Sequence, residues 1–227
     1  MVAVNGNTPK ITLYTNHGCP YAHRAHITIK ELGLPYEEVI IHLSKPRDPW
    51  YLDINPIITE SIIVSQFLAD AYPSHLLPPT GSEESALKRA RIKFFTDTWN
   101  TKVGSYWFKI ATQNSEEEKE KLAKEMVSVV EKEIDPLLKD AAPFFGGSSK
   151  LTLAKAITAP FIIRIIAFVK RAVLPKSIAD GLNGLPNFSK WAAGVVKQDS
   201  VTYIWDEDRI VEQSVKKFAQ VKAQAKA

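Results

Sequence analysis

The 227-residue sequence predicts an α/β unit over residues 1–80 joined to an all-helical domain over 81–227, and three observations carry the prediction. Residues 11–43 alternate strand, helix and strand. Tyr72-Pro73-Ser74-His75-Leu76-Leu77-Pro78-Pro79-Thr80-Gly81 is rich in proline and turn formers, as a linker should be. Beyond it only helical periodicity recurs. Charge divides at the same place, with five Lys and Arg against seven Asp and Glu up to residue 80 and twenty-four against eighteen after it.

Ile11-Thr12-Leu13-Tyr14-Thr15 alternates and is rich in β-branched and aromatic residues, which predicts the first strand. Ala22, Ala25, Ile29 and Leu32 then recur at helical spacing. Pro20 suits a first helical position, because its missing N–H would have had no partner there. That puts Cys19, the chain's one cysteine, at or beside the N-cap. A thiol there faces unpaired N–H groups and the positive end of the helix dipole, which favours the thiolate. The plain alternative, a small buried apolar residue, fits a strand-to-helix turn less well. Gly33 suits the C′ position, and Tyr36-Glu37-Glu38-Val39-Ile40-Ile41-His42-Leu43 reads as a second strand, completing a βαβ unit.

Leu13-Tyr14-Thr15-Asn16-His17-Gly18-Cys19-Pro20-Tyr21-Ala22-His23-Arg24 resembles the opening of the cytosolic glutathione transferases, with Cys-Pro-Tyr similar to their omega-like, cysteine-using branch and the flanking text similar to fungal members. The resemblance implies a thioredoxin-like N-terminal domain plus an all-α C-terminal domain, with glutathione as the bound cofactor. Ala22 stands where a disulfide reductase of the Cys-x-x-Cys type needs its second thiol, so a thiol partner must come from solution.

Trp50 to Pro56 looks like the segment before the family's third strand, yet Ile57-Ile58-Thr59-Glu60-Ser61 follows at once. The third and fourth strands are missing between 56 and 57. Two strands and a turn need about a dozen residues. Either the hairpin has been lost, or a loop there lies outside the chain as written. Glu60-Ser61 opens the next helix and reads as a simple start signal. By resemblance, the pair grips the γ-glutamyl end of glutathione, with Cys19 and Pro20 beside its sulfur.

Ser82, followed by Glu83 and Glu84, starts a long helix carrying Trp99, Tyr106 and Trp107. These are aromatic core by spacing; by resemblance they are candidates for an apolar acceptor-substrate wall. Ser115 with Glu118 forms a capping box, and Thr152 caps an apolar helix interrupted by Pro160 and Arg164. The family's Ser/Thr-x-x-Asp has Lys155 in its last place, which removes the reciprocal cap. Further helices are expected around 175–182 and 188–197 and from 206 onward.

At 45% hydrophobic and 24% charged residues the composition is that of an ordinary soluble protein. One cysteine fits a reducing compartment, here the cytoplasm, and the longest apolar stretch is too short for a membrane span. The net charge of +4 is interleaved, which argues against nucleic acid. No Cys pair or His-Glu-x-x-His accompanies His17, His23 and His26, so no metal site is expected. The resemblance implies a homodimer acting on a small-molecule electrophile, most readily a fungal secondary metabolite. Conjugation, or glutathione addition–elimination with double-bond isomerisation, ranks first, supported by hydrogen bonds from Tyr14, Asn16 and His17 to the glutathione thiolate. Thiol transfer or deglutathionylation through Cys19 is the alternative, and a non-catalytic glutathione-binding regulator is the reading of another class.

Overall fold

Ile11–Thr15 and Tyr36–Ile40 form β1 and β2, paired in parallel with Leu13 opposite Glu38 and Thr15 opposite Ile40. The computed structural model describes residues 10–54, 59–141 and 143–224, and the junction between 56 and 57 lies outside them. Among the described residues the sheet has these two strands only. β2 stops three residues short of its predicted end.

Helix α1 (Pro20–Leu32) connects the strands, with Pro20 in its first turn and Gly33 closing it in the left-handed region at φ 64°, where a side chain would be strained. Every residue from His23 to Ile29 is buried, because α1 packs against α3 (Ser61–Ala71), α7 (Leu153–Lys170) and the short helix Asp199–Thr202. A short α2 (Pro49–Ile54) precedes α3.

The helical part contains α4 (Glu83–Thr98), α5 (Tyr106–Ala111), α6 (Glu116–Val129), the apolar α7, α8 (Lys176–Asn183), α9 (Pro186–Ala193), α10 (Asp199–Thr202) and α11 (Glu207–Gln224). Ser82 and Ser115 accept hydrogen bonds from the amides of Ser85 and Glu118, the caps their spacing predicts. A π turn, Trp99–Val103, extends α4, and another, Val130–Ile134, extends α6. One hydrophobic cluster runs from Ile27 and Ala69 through the helical residues to Phe218, so α1 and α3 share a core with the helical domain.

Thr152 sits at the N-cap of α7 but caps nothing with its side chain, and its buried hydroxyl has no partner. The predicted cap is thus corrected: the residue three places on is Lys155, which cannot accept the reciprocal bond. Lys155 is fully buried, with its ammonium 4.5 Å from the Phe144 ring centroid and 5.6 Å from that of Trp191. A side chain on Gly194 would come within 2.9 Å of that nitrogen. Burial pushes Lys155 down to about 8, so the unfolded chain holds this proton more tightly than the folded one. Stability therefore rises with pH between about 8 and 10.5. Lys155→Met is expected to stabilise the fold by about 2 kcal/mol at pH 7, the roughly 3 kcal/mol desolvation cost less a lost cation–π contact. Urea unfolding at pH 7 and pH 10 checks this: the gain should shrink at the higher pH, and a variant less stable than the parent at pH 7 would refute it.

Candidate functional site

The thiol loop is built from its own backbone before any distant residue touches it. Asn16 accepts from the Cys19 N–H through its carbonyl at 3.0 Å and from the Gly18 N–H through Oδ1 at 3.0 Å. Its Nδ2 donates to the Ile41 carbonyl at 2.9 Å, prolonging the β1–β2 ladder with a side chain. Both ends of the Asn16 amide are thereby used inside the loop. Cys19 is the N-cap of α1, in extended conformation and partly exposed, and its side chain makes no capping bond.

Two arginines close around this thiol. Arg24, one turn into α1, donates from Nε to the Ile157 carbonyl at 2.8 Å, from Nη1 to Ser61 Oγ at 3.1 Å and from Nη2 to Asn100 Oδ1 at 3.2 Å. The π turn after α4 presents Asn100 for that bond, a use of π geometry common near functional sites. Arg164, from the middle of α7, donates from Nη2 to the carbonyls of His17 and Gly18 at 3.3 Å each. Its Nη1 donates to the Pro160 carbonyl at 2.8 Å and to Nδ1 of His23 at 3.2 Å.

Both guanidiniums are 1% exposed, and no carboxylate pairs with either among the described residues. Burial pushes Arg24 down to about 10 and Arg164 to about 9, while the negative charge of Cys19 acts on both in the opposite direction. Both stay protonated at neutral pH. Buried cations without a counter-charge are costly, and a sulfur anion at Cys19 is the group that lowers the cost. His23 is neutral, with Nε2 donating to the Val201 carbonyl at 2.9 Å; burial first, then the Arg164 charge, holds it well below 6.5.

The other predicted residues fall into three groups. Pro20 begins α1 directly behind Cys19. Glu60 is exposed at the start of α3 with φ 61°, a conformation that a non-glycine residue rarely takes, and Ser61 accepts a hydrogen bond from Arg24, which feels the charge of Cys19. The structure therefore brings Cys19, Pro20, Arg24 and Ser61 into one neighbourhood. Tyr14 lies on the face of β1 opposite Thr15 and packs its ring on Trp50 and Tyr51, with centroids 6.1 and 5.6 Å away. His17 hydrogen-bonds Glu38.

For Trp99 and Trp107 the expected aromatic wall is corrected. Trp99 is fully buried and stacked with Phe188, and Trp107 is packed among Phe108, Phe168 and Phe218. Neither has a face for a bound molecule; Tyr106 is half-buried against the same core. A groove of about 460 Å³ includes His75, Lys88, Arg91 and Thr152 in its lining, but neither Cys19 nor any of these three aromatics. The exposed aromatic beside the thiol is Tyr21, 46% exposed and edge-on to Phe161 at 5.3 Å. Sequence reasoning missed Arg164, although its one signal was present: a charged residue interrupting an apolar helix.

Comparison with known proteins follows from this geometry. The family described as "Glutathione S-transferase, N-terminal domain" matches residues 18–59. The chain is similar to glutathione S-transferase omega-1 of Sus scrofa, 23% identical over 212 residues covering 88% of this chain and 82% of that protein. It is also similar to glutathione S-transferase omega-2 of Homo sapiens, 31% identical over 37% of this chain and 40% of the relative. Among solved structures, glutathione transferase Omega 2C of Trametes versicolor superposes with a TM-score of 0.75 at 26% identity, over 93% of this chain and 100% of that one. A rice glutathione transferase, solved in complex with glutathione, superposes with a TM-score of 0.76 at 22% identity, over 94% and 97%. The two-part fold, thioredoxin-like then helical, is shared with both.

Proposed function

We infer from the chain's similarity to omega-class glutathione transferases that it is a glutathione-dependent transferase working by thiol transfer through Cys19. The observation that carries the reading is the pair of buried, carboxylate-free arginines around one half-buried thiol. An anionic sulfur is the nucleophile that such a site stabilises.

We rank thiol transfer above conjugation, the reverse of the order the sequence suggests. Conjugation through glutathione's own sulfur needs a donor aimed at that sulfur, and Asn16 spends its amide inside the loop while His17 is engaged with Glu38. Cys19 needs no such donor. Its sulfur attacks the glutathionyl sulfur of a mixed disulfide, the S–S bond breaks, and the acceptor thiolate leaves and takes a proton; a thiolate from solution then displaces Cys19 by the same exchange. The γ-glutamyl α-carboxylate of glutathione is suited to the N-terminus of α3, where Glu60 supplies no side-chain cap and Ser61 is oriented by Arg24.

A second reading keeps conjugation, or addition–elimination on a secondary metabolite, because half-exposed Tyr21 offers an apolar platform beside the thiol. The primary reading is tested by trapping. Incubated with glutathione disulfide, the full chain should gain one glutathionyl group on Cys19, seen in its intact mass and removed by a reductant. A protein that stays unmodified at neutral pH while its thiol still reacts with a small alkylating agent would end it.

A further inference from the structure

We propose that His17, His26 and Glu38 form a binding site for a divalent transition-metal ion, Zn²⁺ in the first place. The three side chains come from three elements, the thiol loop, α1 and β2, and the parallel pairing of β1 with β2 is what delivers Glu38 to the two imidazoles. The nearest ligand atoms of the three residues all lie within 4.8 Å of one another. His17 Nε2 is in hydrogen-bond contact with Glu38 Oε1, and His26 Nε2 lies 4.0 Å from the same oxygen. Ligands around a tetrahedral zinc at about 2.0–2.2 Å stand roughly 3.3–3.5 Å apart, so closing the triangle takes shifts of about 1 Å.

The surroundings also suit a ligand set. Nδ1 of His26 faces two hydroxyls, Tyr203 at 3.1 Å and Tyr36 at 3.3 Å, and Tyr203 also hydrogen-bonds the His26 carbonyl at 3.1 Å. With its ring proton on Nδ1, given to either hydroxyl, His26 turns the Nε2 lone pair to the triad, where Thr15 Oγ1 lies 2.9 Å away. A metal-bound histidine is commonly held in this way, with its far nitrogen donating to a fixed oxygen. His26 is buried, whereas the side chains of His17 and Glu38 are 35% and 26% exposed, so an ion can enter from solvent and keep a water as its fourth ligand. Two imidazoles, one carboxylate and an open position match the donors that zinc takes in non-structural sites.

The spacing of the histidines alone argues against such a site, because the sequence does not place Glu38 beside them. An occupied site would tie the loop that carries Cys19 to β2. The test is calorimetric titration of Zn²⁺ into chelator-treated full-length protein at pH 7.5, repeated on Cys19→Ser, Glu38→Gln and His17→Ala. One ion per chain should bind, with affinity unchanged within about threefold in Cys19→Ser and weakened by about tenfold or more in each of the other two. Thermal unfolding of both variants confirms that they are folded. The absence of saturable binding, retention of full affinity in either Glu38→Gln or His17→Ala, or its loss in Cys19→Ser would each overturn the assignment.

Discussion

Cys19→Ser is expected to lower glutathione-dependent reduction of a small mixed disulfide by at least ~10³-fold, because it removes the atom that forms the covalent intermediate. A hydroxyl in the same place keeps the loop's geometry: the bonds of Asn16, and those of Arg164 to the His17 and Gly18 carbonyls, involve backbone or other side chains. What is lost is the sulfur nucleophile and the negative charge it can present to two buried arginines. Conjugation of glutathione to an aryl halide, measured on the same preparations, should fall far less. Equal disulfide reduction by parent and variant would remove Cys19 from the mechanism; loss of both activities would mean that the thiol serves binding as well as exchange.

Arg24→Met should cost about 3 kcal/mol of stability, which for a chain of this size lowers the melting temperature by roughly 6–12 °C. Methionine keeps an apolar stem against Phe161, whose ring centroid lies 4.7 Å from the guanidinium carbon. It supplies none of the three donors that join α1 to α3, to the π turn and to α7 through Ser61, Asn100 and Ile157. The buried Ile157 carbonyl then loses that partner. Arg24→Lys should recover only part of the loss, since one ammonium cannot reproduce a planar fork spread over three acceptors. Thermal unfolding followed by circular dichroism decides the matter. A change below 1 kcal/mol, or full recovery with lysine, would show that the network contributes little.

How far the sequence could be read depends on distance along the chain. Pro20 after Cys19, Gly33 at the end of α1, and Ser82 and Ser115 before acidic first turns are signals between residues within one helical turn, and each forms the cap or terminus its spacing implies. Thr152 departs from the pattern: its hydroxyl caps nothing, and Lys155 at the reciprocal position turns its ammonium to the rings of Phe144 and Trp191 instead. Trp99 and Trp107 carried an ambiguity that spacing cannot remove: an aromatic stripe looks the same whether its neighbour is a cleft or another helix. Phe188 and Phe218, 89 and 111 residues further along, decided it for the core.

By itself, then, the amino-acid order determined where the reactive sulfur sits: at the turn from a strand into a proline-started helix, with no second cysteine to answer it. Only the tertiary structure decided what surrounds that sulfur. Arg164 reaches the loop from a helix about 145 residues away, and Glu38 meets His17 through strand pairing. Helical and strand periodicities record which face of an element is apolar, whereas the meeting of charges across elements follows from how those faces stack, which no local spacing encodes.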